Sequence, residues 1–322
     1  MQISKAILAL LAPALAVAVD APGYAGFTRI WQDNFVGSGG TLPDESKWNI
    51  IDRDIGVNNE LQTYRRSARN IQLSGGQSLQ LVPWRDSSAR GGWSSGRAES
   101  HYVLTPPSGR VTRVEARLRF GPNSIGNKQG IWPAFWMLGD SMRRGTPWPA
   151  CGELDIMETV NGILTGHGTT HCDVYPGGAC NEPSGIGAPV PLANQDAHVW
   201  RLEIDRRAGR WQDETITWFL DDRQFHQISG NRIGNERVWT SLARSPLYII
   251  LNLAVGGDYQ RMQDQRDLVA AHIARVNENM RTQGSLNRTP IKMRVPVPLP
   301  EAPAKPPPAE MHDDNMVGED IP

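Results

Sequence analysis

Three carboxylates lie within six residues of one another, and the positions between them are apolar: Glu153, Asp155 and Glu158. On a helix with 3.6 residues per turn, these side chains would point in three different directions. On a strand, Glu153 and Asp155 share a face, and Glu158 joins them only if one extra residue is absorbed. A β-bulge at Ile156–Met157 does this, and bulges are frequent beside active sites. We therefore predict a bulged strand with three acids on one face and Leu154 facing the core.

A row of three acids costs stability through charge repulsion unless chemistry uses it. Glycoside hydrolysis does use such a row, and in its retaining form the two reacting carboxyls lie ~5–5.5 Å apart. At ~3.3 Å per strand residue, the outer two Cα atoms would lie about 13 Å apart. A concave strand and inward-leaning side chains must therefore close the gap. The middle acid, Asp155, can share a proton with Glu153 and help to keep Glu158 protonated.

The segment Glu153–Glu158 fits the E-x-D-x-x-E signature of glycoside hydrolase family 16, in the laminarinase-like form that carries the extra bulge residue. Further segments resemble the same family in the expected order, from about residue 27 to about residue 259: Asn58–Tyr64, Ser95–Arg97, Trp132–Met137, Gly166–His171 and Leu251–Gly257. The ordered set is far more specific than the acid motif alone.

The resemblance implies a role for each acid. Glu153 is expected to be the nucleophile, Glu158 the general acid and then base, and Asp155 the helper between them. It also implies a set of sugar-binding residues: Trp132, Trp136, His171, Asn59 and Arg97.

Those binding residues differ in how strongly their types point to sugar. Trp132 is expected near the cleaved bond, whereas Trp136 suits the cleft or the core equally well. His171 suits a sugar hydroxyl, a cleft carboxylate or a purely structural role. Asn59 and Arg97 match positions that contact the sugar on the non-reducing side of the cut, and their side chains suit hydroxyl recognition.

The pattern from about residue 27 to 259 predicts an all-β protein. Apolar and polar residues alternate over 113–120 and 200–204, and Ile216, Trp218 and Leu220 recur with the same period of two. Asp221-Asp222-Arg223 has the composition of a hairpin turn. We predict one domain over residues 19–260, a sandwich of two antiparallel sheets. The family resemblance implies the same: a β-jelly roll of the concanavalin-like lectin and glucanase type, with a glycan cleft along its concave sheet.

Both ends of the chain differ from this domain. Lys5 and the apolar run that follows predict a signal peptide over residues 1–18 and hence a secreted protein, with an uncleaved anchor as the alternative. Residues 261–322 predict an amphipathic helix and then a Pro-rich, disordered tail. The closing strand typical of the family is not found there, and Ile291–Val295 is a candidate substitute.

Three cysteines suit an oxidising compartment with one disulfide bond. Cys172 and Cys180 flank a turn-rich segment and are predicted to pair, which leaves Cys151 as a thiol beside the acid strand. We find no metal-ligand spacing, and we expect no required cofactor. A structural calcium ion occurs in many members of the family, but its ligands cannot be chosen from this sequence.

A formal net charge of −1 argues against nucleic acid and anionic membranes as partners. We predict a monomeric, secreted, retaining endo-β-glucanase that hydrolyses β-1,3 or mixed β-1,3/1,4 glucan. One alternative is a cell-wall glucan transglycosylase, although such relatives usually lack the extra bulge residue, here Met157. The other is a non-catalytic glucan-binding protein, although such relatives have typically lost one of the two glutamates.

Overall fold

The structure is a computed structural model that describes residues 20–258. The predicted signal peptide, the predicted C-terminal helix and tail, and the candidate strand Ile291–Val295 lie outside the described residues. No helix within residues 20–258 is long and apolar enough to cross a membrane.

The described chain is built mainly of short strands, as the alternation of apolar and polar residues predicted. In chain order these are β1 (Trp48–Ile50), β2 (Gln62–Tyr64), β3 (Ile71–Leu73), β4 (Leu79–Leu81), β5 (Trp84–Arg85), β6 (Trp93–Ser95), β7 (Arg97–Leu104), β8 (Val111–Leu118), β9 (Ile131–Gly139), β10 (Glu153–Glu158), β11 (Thr165–His171), β12 (Ile186–Pro191), β13 (His198–Asp205), β14 (Thr215–Leu220), β15 (Arg223–Ser229) and β16 (Leu247–Val255).

Two antiparallel sheets form the sandwich, so the predicted architecture is confirmed. The larger sheet has seven strands in the order β1-β7-β16-β9-β10-β11-β12, and the smaller has four in the order β15-β14-β13-β8. One continuous apolar cluster includes side chains from both. Two small sheets, β2-β6-β5 and β3-β4, were not predicted, and the β2–β6 pair is parallel.

The alternating segments became strands because one face of each could be buried. Trp200, Leu202 and Ile204 of β13 are fully buried. The predicted hairpin follows β14, where Asp221 and Asp222 both adopt left-handed backbone conformations with φ of 47° and 64°. Two such residues in succession make the tight turn whose twist suits an antiparallel hairpin.

Glycines in β11 let the two sheets approach closely beneath the acid strand. A Cβ atom added to Gly166 would lie 2.3 Å from the ring of Trp200, and one added to Gly168 would lie 2.4 Å from the ring of Trp218. Each indole therefore occupies the space that a side chain on β11 would need. This packing supports the neighbouring strand β10 from below.

Within residues 20–258, two helices interrupt the β structure and were not predicted: α1 (Gly230–Ile233) and α2 (Glu236–Ala243). The Asn235 side chain caps α2 by accepting a hydrogen bond from the Arg237 backbone N–H at 2.9 Å. Short 3₁₀ segments lie at Ile125–Lys128, Asp140–Arg144 and Trp211–Asp213.

Candidate active site

The acid strand β10 carries the predicted bulge. Against β9, Asp155 lies opposite Trp136 while Met157 lies opposite Phe135, so one residue of β10 has no partner in the ladder. The register against β11 shifts at the same place. Leu154, Ile156 and Met157 are buried in the core, as expected of the residues between and after the acids. The bulge therefore returns Glu158 to the face that Glu153 and Asp155 share.

The acid side chains meet a histidine from the neighbouring strand. Glu153 of β10 lies directly opposite His171 of β11. One oxygen from Glu153, one from Asp155 and one ring nitrogen from His171 all lie within 4.8 Å of one another. Glu158 interacts electrostatically with both His171 and Glu153. The three acids and His171 thus form one charged cluster, here called the acid group, on the exposed face of the large sheet.

Glu158 has the environment of a general acid. Burial raises its pKa, a hydrogen bond from Trp132 and the charge of His171 lower it, and the charge of Glu153 raises it again, with a net value of about 7. The Trp132 indole Nε1 donates that hydrogen bond to Glu158 Oε1 at 2.8 Å. A carboxyl with such a pKa holds a proton near neutral pH and can give it to a leaving group.

His171 is fixed from both edges of its ring. Its Nδ1 lies 2.7 Å from Glu182 Oε2, and its Nε2 lies 3.5 Å from Asp155 Oδ2. Burial alone would lower the pKa of His171, but the hydrogen bond to Glu182 and the charges of Glu153 and Glu158 raise it above the ordinary value. His171 therefore favours its cationic form among the acids.

Three residues of this group offer carboxylate and imidazole atoms close enough together to bind one metal ion: Glu153, Asp155 and His171. They are the cluster of this kind found within residues 20–258. A cationic His171 offsets part of the charge of these carboxylates. The structural calcium ion that many members of the family carry stays an untested expectation, for which the sequence named no ligands.

Trp136 lies opposite Asp155 on β9, half-buried against a small apolar cluster, and is held by a polar network. Its Nε1 donates to Asn252 Oδ1 at 2.7 Å, and the Asn252 amide donates to Tyr64 Oη at 3.1 Å. The guanidinium of Arg97 lies 5.1 Å from the Trp136 ring centre, and it also pairs with Glu99 at 2.7 Å. Arg97 is only 8% exposed, so the structure places it as a support for Trp136, and contact with sugar stays a prediction.

Asn59 lies further along the cleft, in a depression of about 450 Å³ lined also by Asp54, Glu60, Leu61, Arg90 and Gly91. Its amide nitrogen donates to Asp258 Oδ2 at 2.8 Å. Glu60 accepts hydrogen bonds from the side-chain amides of Asn58 and Gln62 at 3.0 and 2.6 Å.

The depression adjoins the acid group. A Cβ atom added to Gly257 would lie 3.3 Å from the Trp132 ring and 3.5 Å from the Glu60 side chain, so these two flank the same backbone. Trp132 in turn binds Glu158. A path for an extended ligand therefore leads from Asn59 past Trp132 to the acids.

Comparisons with known proteins agree with this geometry. Residues 123–183 match the family model described as "XgeA-like, catalytic GH16 domain". A beta-glucanase of Rhodothermus marinus is 34% identical over 245 residues, which cover 73% of this chain and 77% of that protein. The chain therefore belongs to glycoside hydrolase family 16.

Two further relatives of this family 16 hydrolase support the assignment. A glucan endo-1,3-beta-glucosidase A1 of Niallia circulans is 30% identical over 270 residues, covering 74% of this chain and 35% of that protein. The crystal structure of an endo-1,3-beta-glucanase from Streptomyces sioyaensis superposes with a TM-score of 0.70 at 33% identity, covering 76% of this chain and 90% of that one. The predicted jelly-roll fold is thereby confirmed.

Three residues of the hydrolase site were missed from the sequence. Trp148 lies beside His171, with ring centres 5.6 Å apart, and Tyr175 lies 6.2 Å from Trp148. Glu182 contacts His171 directly. All three come from irregular segments, where no periodicity shows the direction of a side chain. The available signal was that Tyr175 lies within the Cys172–Cys180 turn and Glu182 directly after it.

The disulfide between Cys172 and Cys180 is present, as predicted, and it closes the segment that follows β11. Cys151 is buried beside Leu138, Tyr248 and Ile250 and takes no part in a disulfide bond. Its position in an apolar cluster gives it a packing role in the hydrolase.

Proposed function

We propose that this family 16 hydrolase is an endo-β-glucanase that cleaves β-1,3 or mixed β-1,3/1,4 glucan with retention of anomeric configuration. The observation that carries the proposal is the bulge, which brings Glu153 and Glu158 to one face with different surroundings. The substrate class is supported by the relatives, since a beta-glucanase and an endo-1,3-beta-glucanase are among them.

In the first step, the Glu153 carboxylate attacks the anomeric carbon while Glu158 gives its proton to the glycosidic oxygen that leaves. Glu158 can do so because its pKa of about 7 keeps it protonated at mildly acidic pH. The cationic His171 lies opposite Glu153 on the next strand and balances its charge before the attack.

In the second step, Glu158 has lost its proton and acts as a base. It takes a proton from water, the water oxygen attacks the anomeric carbon, and the bond to Glu153 breaks. Asp155 is 4% exposed and faces His171, so its role is to set the charge of the site instead of contacting the water. The chemistry requires no cofactor.

An open path lined by Asn59, Trp132 and Trp148 suits a chain that is cut internally. Indole faces stack on sugar rings, and amide groups donate to and accept from hydroxyls. The disulfide suits an oxidising, extracellular compartment, which supports secretion. We propose a monomer acting on extracellular or cell-wall glucan, with no nucleic-acid or membrane partner.

The test is digestion of laminarin, lichenan, chitin and xylan side by side, with oligosaccharide analysis of the products and proton NMR of the new reducing ends. We expect laminarin or lichenan to yield short oligosaccharides whose first-formed anomer is β. Glu153→Ala should release no reducing sugar and keep the circular dichroism of the wild type. Glu45→Ala is the control, because Glu45 pairs with Arg66 at the surface.

Each other outcome points to a different function. Products longer than the substrate would favour the transglycosylase, and binding of laminarin without any cleavage would favour the glucan-binding protein. Release of the α-anomer first, or full activity of Glu153→Ala, would refute the proposed mechanism.

A further inference from the structure

Glu182 is a buried carboxylate at the edge of the acid group. The loop that carries it leaves β11 after His171 and is closed by the Cys172–Cys180 disulfide. Gly177 and Glu182 exchange two backbone hydrogen bonds, of 2.8 and 2.6 Å, which turn the loop back. The Glu182 side chain has no exposed surface. A buried carboxylate needs specific partners, since desolvation otherwise disfavours its charge.

Both carboxylate oxygens of Glu182 are used as acceptors. Oε1 accepts a hydrogen bond from the Cys172 backbone N–H at 2.8 Å, and Oε2 lies 2.7 Å from His171 Nδ1. An ionised carboxylate has only acceptors, so His171 must carry a proton on Nδ1. A glutamine at position 182 could not serve both partners: with its oxygen on Cys172 N–H, its amide would donate toward Nδ1.

Two neighbours keep the His171 ring in the orientation that this contact requires. The ring of Trp148 packs against it at 5.6 Å. On the loop after Glu182, a Cβ atom added to Gly185 would lie 2.8 Å from His171 Cε1, so the backbone itself abuts the ring. With Nδ1 held by Glu182, the opposite edge of the ring faces Asp155 and Glu153.

We propose that Glu182 is a positioning residue for the glycosidase reaction: it holds His171 with its proton on Nδ1 and its Nε2 edge toward Asp155 and Glu153, so that His171 serves as the cation of the cleft. This inference rests on the proposed function, because it assigns Glu182 a part in the reaction that Glu153 and Glu158 carry out. Glu182 acts through His171 and does not touch the substrate.

The consequence reaches Glu158 through charge. The ionisable groups that act on His171 are Glu153, Asp155 and Glu158 from β10 and Glu182 from the loop. The charge of His171 lowers the pKa of Glu158. Without the Glu182 carboxylate, the pKa of His171 would fall and its neutral form would carry the proton on Nε2, so Glu158 would hold its own proton to higher pH.

The test joins NMR with a pH–rate profile. In nitrogen-15 spectra, the His171 signal is identified among the seven histidines by its loss in His171→Gln. We expect the wild type to show Nδ1–H hydrogen bonded to a carboxylate. Glu182→Gln should move the proton to Nε2, shift the alkaline limb of kcat to higher pH, and lower kcat about tenfold, part of the ~10²–10⁴ that general acid–base catalysis supplies.

A double variant shows whether Glu182 acts through His171. If it does, the kcat of the double variant Glu182→Gln, His171→Gln should equal the kcat of His171→Gln alone to within about twofold. Glu214→Gln is the matched control, because Glu214 is a glutamate with a 2% exposed side chain that binds Arg244 and Trp239 outside the acid group. It should leave the position of the alkaline limb unchanged.

Each result decides the matter. A wild-type His171 protonated on Nε2 alone overturns the proposal, even if Glu182→Gln does not fold. Losses of kcat that add up in the double variant also overturn it. So does a folded Glu182→Gln whose alkaline limb of kcat lies at the wild-type pH. If the wild type cleaves no glucan but its NMR spectra are as expected, the proposed function falls while the positioning of His171 by Glu182 stands.

Discussion

The indole Nε1 of Trp218 donates a hydrogen bond of 2.7 Å to the backbone carbonyl of Asp155. Trp218 belongs to β14 of the smaller sheet, whereas Asp155 lies where the bulge of β10 begins. A bulge disrupts the ladder locally, and a buried carbonyl there needs another donor. The core of the sandwich thus stabilises the bulge that brings Glu158 to the side of Glu153.

We expect Trp218→Phe to lower the free energy of unfolding by at least about 1–3 kcal/mol, since a buried acceptor loses its donor and the smaller phenyl ring fills less of the core. It should also lower kcat, because the bulge is no longer held. Denaturant unfolding and glucan hydrolysis measure the two effects. Trp84→Phe is a matched control: Trp84 Nε1 donates to Arg69 O at 2.8 Å, but the residue is 43% exposed. Equal effects of the two variants would contradict this account.

The pH dependence of kcat should follow the protonation of Glu158. With a pKa of about 7, activity should fall as pH rises through that value, because the leaving oxygen then receives no proton. Trp132 donates to the ionised carboxylate and so lowers the pKa. Trp132→Phe should therefore move the alkaline limb to higher pH.

Trp136→Phe provides the comparison for Trp132→Phe, because its indole donates to the neutral amide of Asn252. Its alkaline limb should match that of the wild type even if its KM rises. A limb that moves to lower pH in Trp132→Phe would show that the hydrogen bond does not act on Glu158 as described.

Packing at Gly168 offers a test of the support beneath the acids. A methyl group there would lie 2.4 Å from Trp218 Cδ1, so the ring must shift, and such overpacking typically costs about 1–3 kcal/mol. Gly126→Ala is the control, since nothing lies within 4 Å of the added atom. A melting temperature of Gly168→Ala equal to that of the wild type would contradict the close approach of the sheets.

The parts of this molecule that sequence reasoning predicted are those with strict periodicity. Strands β8 and β13 each alternate over six residues, β14 keeps an apolar residue at every second position, and burial of one face fixes their register. The bulge was predictable because three acids at that spacing share a face in no other way. Helix α2 was missed because eight residues give only two turns; its signals were the Asn235 cap and the buried pairs Val238–Trp239 and Leu242–Ala243.

Contacts made by loops could not be predicted in the same way. Glu182 reaches His171 only because the chain reverses at Gly177 after the disulfide, and no local pattern encodes that distance. The ion pair of Arg97 was also not predicted: Glu99 lies two residues on along the same strand face and accepts a hydrogen bond from its guanidinium, while contact of Arg97 with sugar stays a prediction. Such pairing depends on rotamers and neighbours, which the order of residues does not show.

The different roles of Glu153 and Glu158 are tested most directly by azide rescue on an aryl β-glucoside oligosaccharide, whose leaving group needs no proton. In Glu158→Ala, Glu153 still forms the glycosyl-enzyme, and azide attack should give the β-glycosyl azide. In Glu153→Ala, azide replaces the missing nucleophile and should give the α-glycosyl azide. The reverse assignment of anomers, or the same anomer from both variants, would contradict the account.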